Sequence, residues 1–240
     1  MKIHRFIGDF DISNERIRIV DADFVNQVRN VLKLKPGETV LLCDGIMNEV
    51  EAEITACGRD SVELIVLKRL KNEAESERRI TLYMAMLKKD NFEVAIQKAV
   101  ECGVSEIIPF ISGRTVKTGI NIGRMEKIIR EAAEQSGRGI LPELLGEMSF
   151  KEAADQVGSR KGENIIFDPM GEDIRDIIKN GEMKGRDINV FIGPEGGFTD
   201  EELQIAKAAG FRVVSIGKTI LRAETAAAIG VYLAANLMTE

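Results

Sequence analysis

The 240 residues include no tryptophan, two tyrosines, one histidine, five prolines and three cysteines. Each shortage closes off some chemistry. One histidine and no cysteine cluster leave little from which to build a zinc site, so no metal is expected. Cys43, Cys57 and Cys102 are odd in number, widely spaced and form no Cys-x-x-Cys pair. They read as buried thiols of a reducing cytoplasm, not as a disulfide framework. Because His4 stands near the N-terminus, the commonest general base is missing from any site further along. Long apolar runs are lacking too. The longest, near 226–235, is too short to span a bilayer, and Met1-Lys2-Ile3-His4-Arg5-Phe6 has no signal-peptide core. A cytoplasmic chain without a membrane segment is the expectation.

What is present is a globular composition, 44% hydrophobic and 30% charged, in a length that suits one large domain or two smaller ones. The net charge of −6 argues against a surface that binds nucleic acid all round. The charge is nevertheless segregated. Residues 68–89 carry seven basic groups against three acidic, and 111–130 carry Arg114, Lys117, Arg124, Lys127 and Arg130 against Glu126 alone. Residues 140–210 carry eight basic groups against fifteen acidic ones. Such segregation suits a protein that grips phosphate on one side, and equally suits solvated helix faces that balance in three dimensions.

Two rhythms divide the chain. Within 1–72, short alternating runs (16–20, 39–44, 50–54 and 61–66) with turns at Asp44-Gly45 and 58–60 predict a small antiparallel sheet or barrel. A helix is expected from Phe24 to Leu34, ending at Pro36-Gly37. Lys68 to Arg79 shows no apolar pattern and reads as a linker. Over 73–240 the pattern becomes strand then helix: 80–87, 92–102, 106–110, 122–135, 150–157, 164–168, 188–192, 203–209, 212–216 and 225–237. Alternation of this kind predicts a parallel sheet covered by helices, with ligands at the carboxyl ends of the strands.

Two of those strand ends carry glycine motifs. Phe191-Ile192-Gly193-Pro194-Glu195-Gly196-Gly197-Phe198 leads through a Thr199 to Glu202 capping box into a helix that Gly210 stops. Ile216-Gly217-Lys218-Thr219-Ile220-Leu221-Arg222-Ala223-Glu224-Thr225-Ala226 leads into a helix of small residues. Neighbouring glycine turns offer bare backbone to one small molecule. The first is no Gly-x-Gly-x-x-Gly fingerprint. The second is no P-loop, since the required glycine five places before Gly217 is Arg212. Arg222 and Glu224 could form an ordinary surface ion pair, but their place on the turn favours a functional role. The smooth face of Ala227, Ala228, Ala234 and Ala235 predicts close packing, either on another helix or on a second subunit.

Gly-Pro-Glu-Gly-Gly-Phe followed by Ile-Leu-Arg-Ala-Glu-Thr-Ala resembles the RsmE-type 16S rRNA uridine-N3 methyltransferases of the SPOUT superfamily. Ile96-Gln97-Lys98-Ala99, Glu101-Cys102-Gly103-Val104 and Glu134-Gln135-Ser136-Gly137-Arg138 match as well, and the resemblance spans nearly the whole chain. It implies a C-terminal SPOUT domain (73–240) with a trefoil knot, and a PUA-like β-barrel that binds RNA (1–72). It further implies S-adenosyl-L-methionine as cofactor, 16S rRNA of the small subunit as substrate, and a homodimer. The implied catalytic residues are Arg222, Glu224 and Glu195. Ile192, Gly193, Glu195, Gly196, Gly197, Ile216, Gly217, Ile220, Leu221, Thr225 and Ala226 are implied to bind cofactor. Arg5, Lys33, Lys35, Lys88, Gln135 and Arg138 are implied to meet RNA. The chain departs from the pattern at Asn26, Gln27 and Asn30, where relatives usually carry paired histidines and an arginine. Two rivals stay open: a methyltransferase of this fold acting on another RNA, tRNA or 23S rRNA, and a non-catalytic ribosome-assembly protein.

Overall fold

Period-two alternation builds the N-terminal sheet, as in β2 (Arg16–Ile19), whose residues point outward and inward in turn. A computed structural model of the protein describes residues 3–116, 119–158, 162–180 and 187–237; Lys117 of the basic stretch lies outside them. The chain forms two units, one from 1–75 with 133–141 and the other from 76–132 with 142–240.

In the first unit, β1 (His4–Ile7), β2, β3 (Thr39–Cys43), β4 (Asn48–Cys57) and β5 (Val62–Lys71) make a five-stranded sheet in the order β1-β3-β4-β5-β2. α1 (Ala22–Asn26) and a wider π-turn over Gln27–Val31 set Phe24, Val25 and Val28 into its core. The sheet is mixed, not antiparallel as its alternating runs suggested. β1 pairs parallel with β3, and its short run lies outside the alternating stretches. A second correction concerns Lys68–Arg79, whose first part is not a linker but the end of β5. In the ladder Lys68 stands opposite Glu51, and Arg69 donates to the carbonyls of Ile12 and Ser13, in the segment between β1 and β2, at 2.7 Å.

The second unit holds β6 (Ile80–Ala85), α2 (Lys89–Glu101), β7 (Glu106–Ile111), α3 (Ile122–Ser136, whose end belongs to the first unit), β8 (Glu143–Leu144), β9 (Met148–Ser149) and α4 (Phe150–Val157). It continues with β10 (Glu163–Asp173), α5 (Ile174–Asn180), β11 (Ile188–Ile192), α6 (Asp200–Ala208), β12 (Arg212–Ser215) and α7 (Ala223–Tyr232). The sheet runs β12-β10-β11-β6-β7-β8, with β9 also on β7, and every ladder is parallel. β6 and β11 are buried at every residue, as central strands covered on both faces must be. Tyr83 stacks on Phe191 with ring centroids 4.2 Å apart, and Phe110, Phe150 and Phe198 close the cluster around them.

The smooth face of α7 has its partner inside the chain. α2 packs along α7, where Ala95 and Ala99 on one helix and Ala227 and Ala234 on the other are fully buried. A Cβ on Gly103, just past α2, would come within 3.3 Å of Ala235. The small residues therefore serve close packing of two helices within the subunit, and do not themselves point to a second copy.

Candidate active site

Three parallel strands side by side, β12, β10 and β11, end at one edge of the sheet, and the loops that leave them enclose a cavity of about 480 Å³. That is an ordinary size for a small-molecule site. The loop after β11 supplies Ile192, Gly193, Glu195 and Gly197; the loop after β12 supplies Ile216, Gly217, Ile220, Leu221 and Arg222. Glu224 and Ala226 enter from the first turn of α7.

The third wall was not foreseen. Asp168–Gly171 loop out of β10, whose pairing with β12 slips between Phe167 and Glu172. Phe167, Asp168 and Pro169 line the cavity there. Asp168 closes the loop by accepting from the Met170 amide at 2.9 Å. Gly171 is compulsory, because a Cβ would fall 2.5 Å from the Val214 nitrogen. The Phe-Asp-Pro run was the available signal: proline stops the ladder, and Asp begins a turn.

The glycine turn is closed by the Gly197 amide donating to the Pro194 carbonyl at 2.8 Å, with Gly197 in the left-handed region at φ 70°. The capping box is present: the Thr199 hydroxyl accepts from the Glu202 amide, and the Glu202 carboxylate accepts from the Thr199 amide. That carboxylate is buried and takes two further donors, the Ser112 hydroxyl at 3.0 Å and the Gly113 amide at 2.9 Å. Gly196 does not line the cavity. Its carbonyl accepts from Arg114 at 2.7 Å, and a Cβ there would lie 3.3 Å from the Arg114 side chain. A side chain there would have to displace the arginine on the turn's other side by a few tenths of an ångström. Thr225 points to solvent and is likewise absent from the lining.

Charge gathers at the rim. Arg222 is 85% exposed, and its Nη1 lies 4.0 Å from Glu224 Oε1. Glu224 is mostly shielded, and its Oε2 is buried with no hydrogen-bond partner. A carboxylate oxygen cut off from water costs free energy until a donor reaches it. Glu195 is the more open acid and accepts from the Lys88 amide at 3.4 Å. Lys88 and Asn91 complete the rim from the start of α2.

The six residues implied to meet RNA, of which Lys88 is on the cavity rim, separate into two groups. Lys33, Lys35, Lys88 and Gln135 are exposed. Arg5 and Arg138 are spoken for. Arg5 pairs with Glu49 and donates to the Arg138 carbonyl. Arg138 is 3% exposed and bonds the Glu75 carboxylate through two nitrogens, each at 2.8 Å. Burial pushes the Glu75 carboxyl up, but Arg138 and the amides of Ile140 and Gly139 outweigh it and hold the group below its ordinary value. The three thiols are free, and burial raises each, which keeps them protonated and unreactive. Among the described residues, no group of three His, Cys, Asp or Glu could hold a metal ion, and no helix is long and apolar enough to cross a membrane.

Residues 74–235 match the RNA methyltransferase domain family, and 28–67 match the RNA methyltransferase PUA domain. The chain therefore carries an RNA methyltransferase domain and a PUA domain. Ribosomal RNA small subunit methyltransferase E of Rickettsia conorii is 30% identical over 232 residues, covering 95% of this chain and 93% of its own. The protein of that name from Mesomycoplasma hyopneumoniae is 35% identical over 168 residues, covering 68% and 71%. The crystal structure of the Neisseria gonorrhoeae protein, bound to S-adenosyl methionine, is 32% identical with a TM-score of 0.86, covering 96% of this chain and 95% of that one. This chain belongs to the ribosomal RNA small subunit methyltransferase E family.

Proposed function

We propose that the chain transfers the methyl group of S-adenosylmethionine to N3 of a uridine in the 16S rRNA of the small ribosomal subunit, as a cytoplasmic homodimer. The observation that carries this reading is the strand-end cavity, apolar and glycine-edged on its walls, with one shielded carboxylate that has an oxygen free of hydrogen bonds and one extended guanidinium at its rim. The Neisseria relative, solved with S-adenosyl methionine, supports the choice of cofactor.

The residues suit that group. Ile192, Phe198 and Leu221 give apolar walls. Gly197 and Gly217 present bare backbone, and a Cβ at either would meet nothing within 4 Å. Glu224 Oε2 awaits a donor. When bound, the cofactor supplies an activated methyl group. The chain must position the base, hold charge and move one proton.

N3 lies on the pairing edge of uracil, so the base must be unpaired or flipped out of its stack to enter. N3 would give its proton to a carboxylate and use the freed electron pair to bond the methyl carbon, whose bond to sulfur would break with its electron pair leaving as a neutral thioether. Glu224 is the better acceptor, since its free oxygen is shielded, whereas Glu195 is open to water. Arg222 cannot act as a base. Its guanidinium answers the negative charge that spreads onto the flanking carbonyl oxygens, a role that gains strength once water is displaced. The exposure of Lys33, Lys35, Lys88 and Gln135 supports their contact with RNA. Threading of the C-terminal segment into a trefoil knot belongs to the same reading. So do domain limits near 72, although the segment 133–141 groups with the N-terminal unit.

The test is to incubate the protein with methyl-labelled cofactor and small ribosomal subunits that lack the modification, then map the labelled nucleotide. A single N3-methyluridine in 16S rRNA is expected. Label on tRNA or 23S rRNA, or on another atom of the base, would overturn the assignment.

A further inference from the structure

Arg114 lies on the loop after β7, away from both glycine motifs, and is not part of the cavity lining. Its loop is held unusually firmly. The Ser112 amide donates to the Thr115 hydroxyl at 3.0 Å, and the Thr115 amide donates back to the Ser112 carbonyl at 3.0 Å. The buried Glu202 carboxylate accepts from both the Ser112 hydroxyl and the Gly113 amide, which staples the loop to the start of α6. From this fixed base Arg114 reaches across to the Gly196 carbonyl at 2.7 Å. The opposite side of that same turn, at Gly193, Pro194, Glu195 and Gly197, is cavity wall.

We infer that Arg114 is a positioning residue for the cofactor, clamping the outer side of the glycine turn so that its inner side keeps the shape the ligand needs. Two independent observations meet at this point. The charged hydrogen bond is one, and such bonds are stronger than neutral ones. The other is steric. Gly196 does not lie in the left-handed region, so its lack of a side chain is not a backbone requirement. A Cβ would meet the Cβ and Cδ of Arg114, each at 3.3 Å. A side chain at this position would therefore push the arginine by a few tenths of an ångström. The inference rests on the cavity being the cofactor site, but the clamp itself can be read without cofactor.

Hydrogen exchange of the Gly197 amide, which closes the turn, is the direct readout. In Arg114→Ala the protection of this amide should fall about tenfold while the thermal midpoint stays close to that of wild type. Calorimetry with S-adenosylmethionine should show about tenfold weaker binding, and Arg114→Lys should recover part of it. Gly196→Ala should weaken binding by displacing the arginine. The double variant Arg114→Ala/Gly196→Ala should then be no worse than Arg114→Ala alone, since nothing remains to displace. Unchanged Gly197 protection in Arg114→Ala would overturn the inference, as would single effects that multiply in the double variant. If wild type fails to bind S-adenosylmethionine, the assignment of the cavity falls, while the exchange measurement still judges the clamp.

Discussion

Removing Arg138 should cost stability, not RNA affinity. Its guanidinium makes two of the four hydrogen bonds that reach Glu75; the others come from the Gly139 amide at 2.7 Å and the Ile140 amide at 3.0 Å. The side chains of the pair are only 4% and 8% exposed. Arg138→Ala therefore leaves a carboxylate shut away from water with its charge uncompensated, a change that costs about 3–5 kcal/mol. A urea titration followed by circular dichroism would measure this loss directly. Replacing both partners with apolar residues, Arg138→Met with Glu75→Leu, should regain only part of it, because the buried charge disappears along with its counterpart while the Gly139 and Ile140 amides lose their acceptor. The pH dependence has a definite sign. Glu75 is held below its ordinary value in the folded state, so its contribution is complete above the unfolded carboxylate range, roughly pH 4.3, and is lost as pH falls through the folded pKa. Wild type should lose stability on acidification, and Arg138→Ala should lose less. If Arg138 instead touched a phosphate, the salt dependence of RNA binding would flatten by about one unit in its slope. A loss under about 1 kcal/mol together with a flatter salt slope would refute the structural role.

Three further outcomes are expected. Arg222→Ala should slow single-turnover methylation by about 10²-fold or more with cofactor affinity little changed, because the side chain is almost fully extended into solvent; loss of affinity with the rate intact would make it a pocket residue instead. Gly171→Ala should destabilise the Asp168–Gly171 excursion of β10 by about 1–3 kcal/mol, the usual cost of forcing atoms into a filled space, since the new Cβ would sit on the Val214 backbone, and wild-type stability on denaturant titration would contradict this. Sedimentation at micromolar concentration should give a species heavier than the 26.5 kDa of one chain, and a single-chain mass throughout would exclude the dimer.

The second unit was legible from sequence because its signals are redundant. The helix from Lys89 to Glu101 has an apolar stripe, a stop at Gly103 with φ 104°, and a strand on either side. Each cue alone is weak, and they agree. The strands β6 and β11 are continuous apolar runs, which only a sheet covered on both faces makes use of. The parts that escaped notice are those where partners lie far apart in sequence. β1 is four residues long, and its ladder with β3 crosses more than thirty positions. The end of β5 looks like a linker because its charges are answered on another strand, by Glu51. The last part of α3 falls in the unit built mainly from 1–75, which no local pattern could announce.

The site shows the same division more sharply. The glycines that line the cavity were readable, since a glycine at a strand end declares itself by type and place. Residues that act through side chains were readable only as chemistry. Arg138 and Arg222 look alike in sequence, each following a turn or helix end beside an acid. One is buried and fully paired, while the other reaches into solvent 4.0 Å from its nearest acid. Gly196 and Gly197 stand side by side, and only the second faces the cavity. What separates the two glycines is which side of the turn faces the cavity, and its outer side meets a loop some eighty positions earlier, where Arg114 sits. The clamp is therefore the place where knowledge of the fold adds most to the motif: it shows what a side chain at Gly196 would displace.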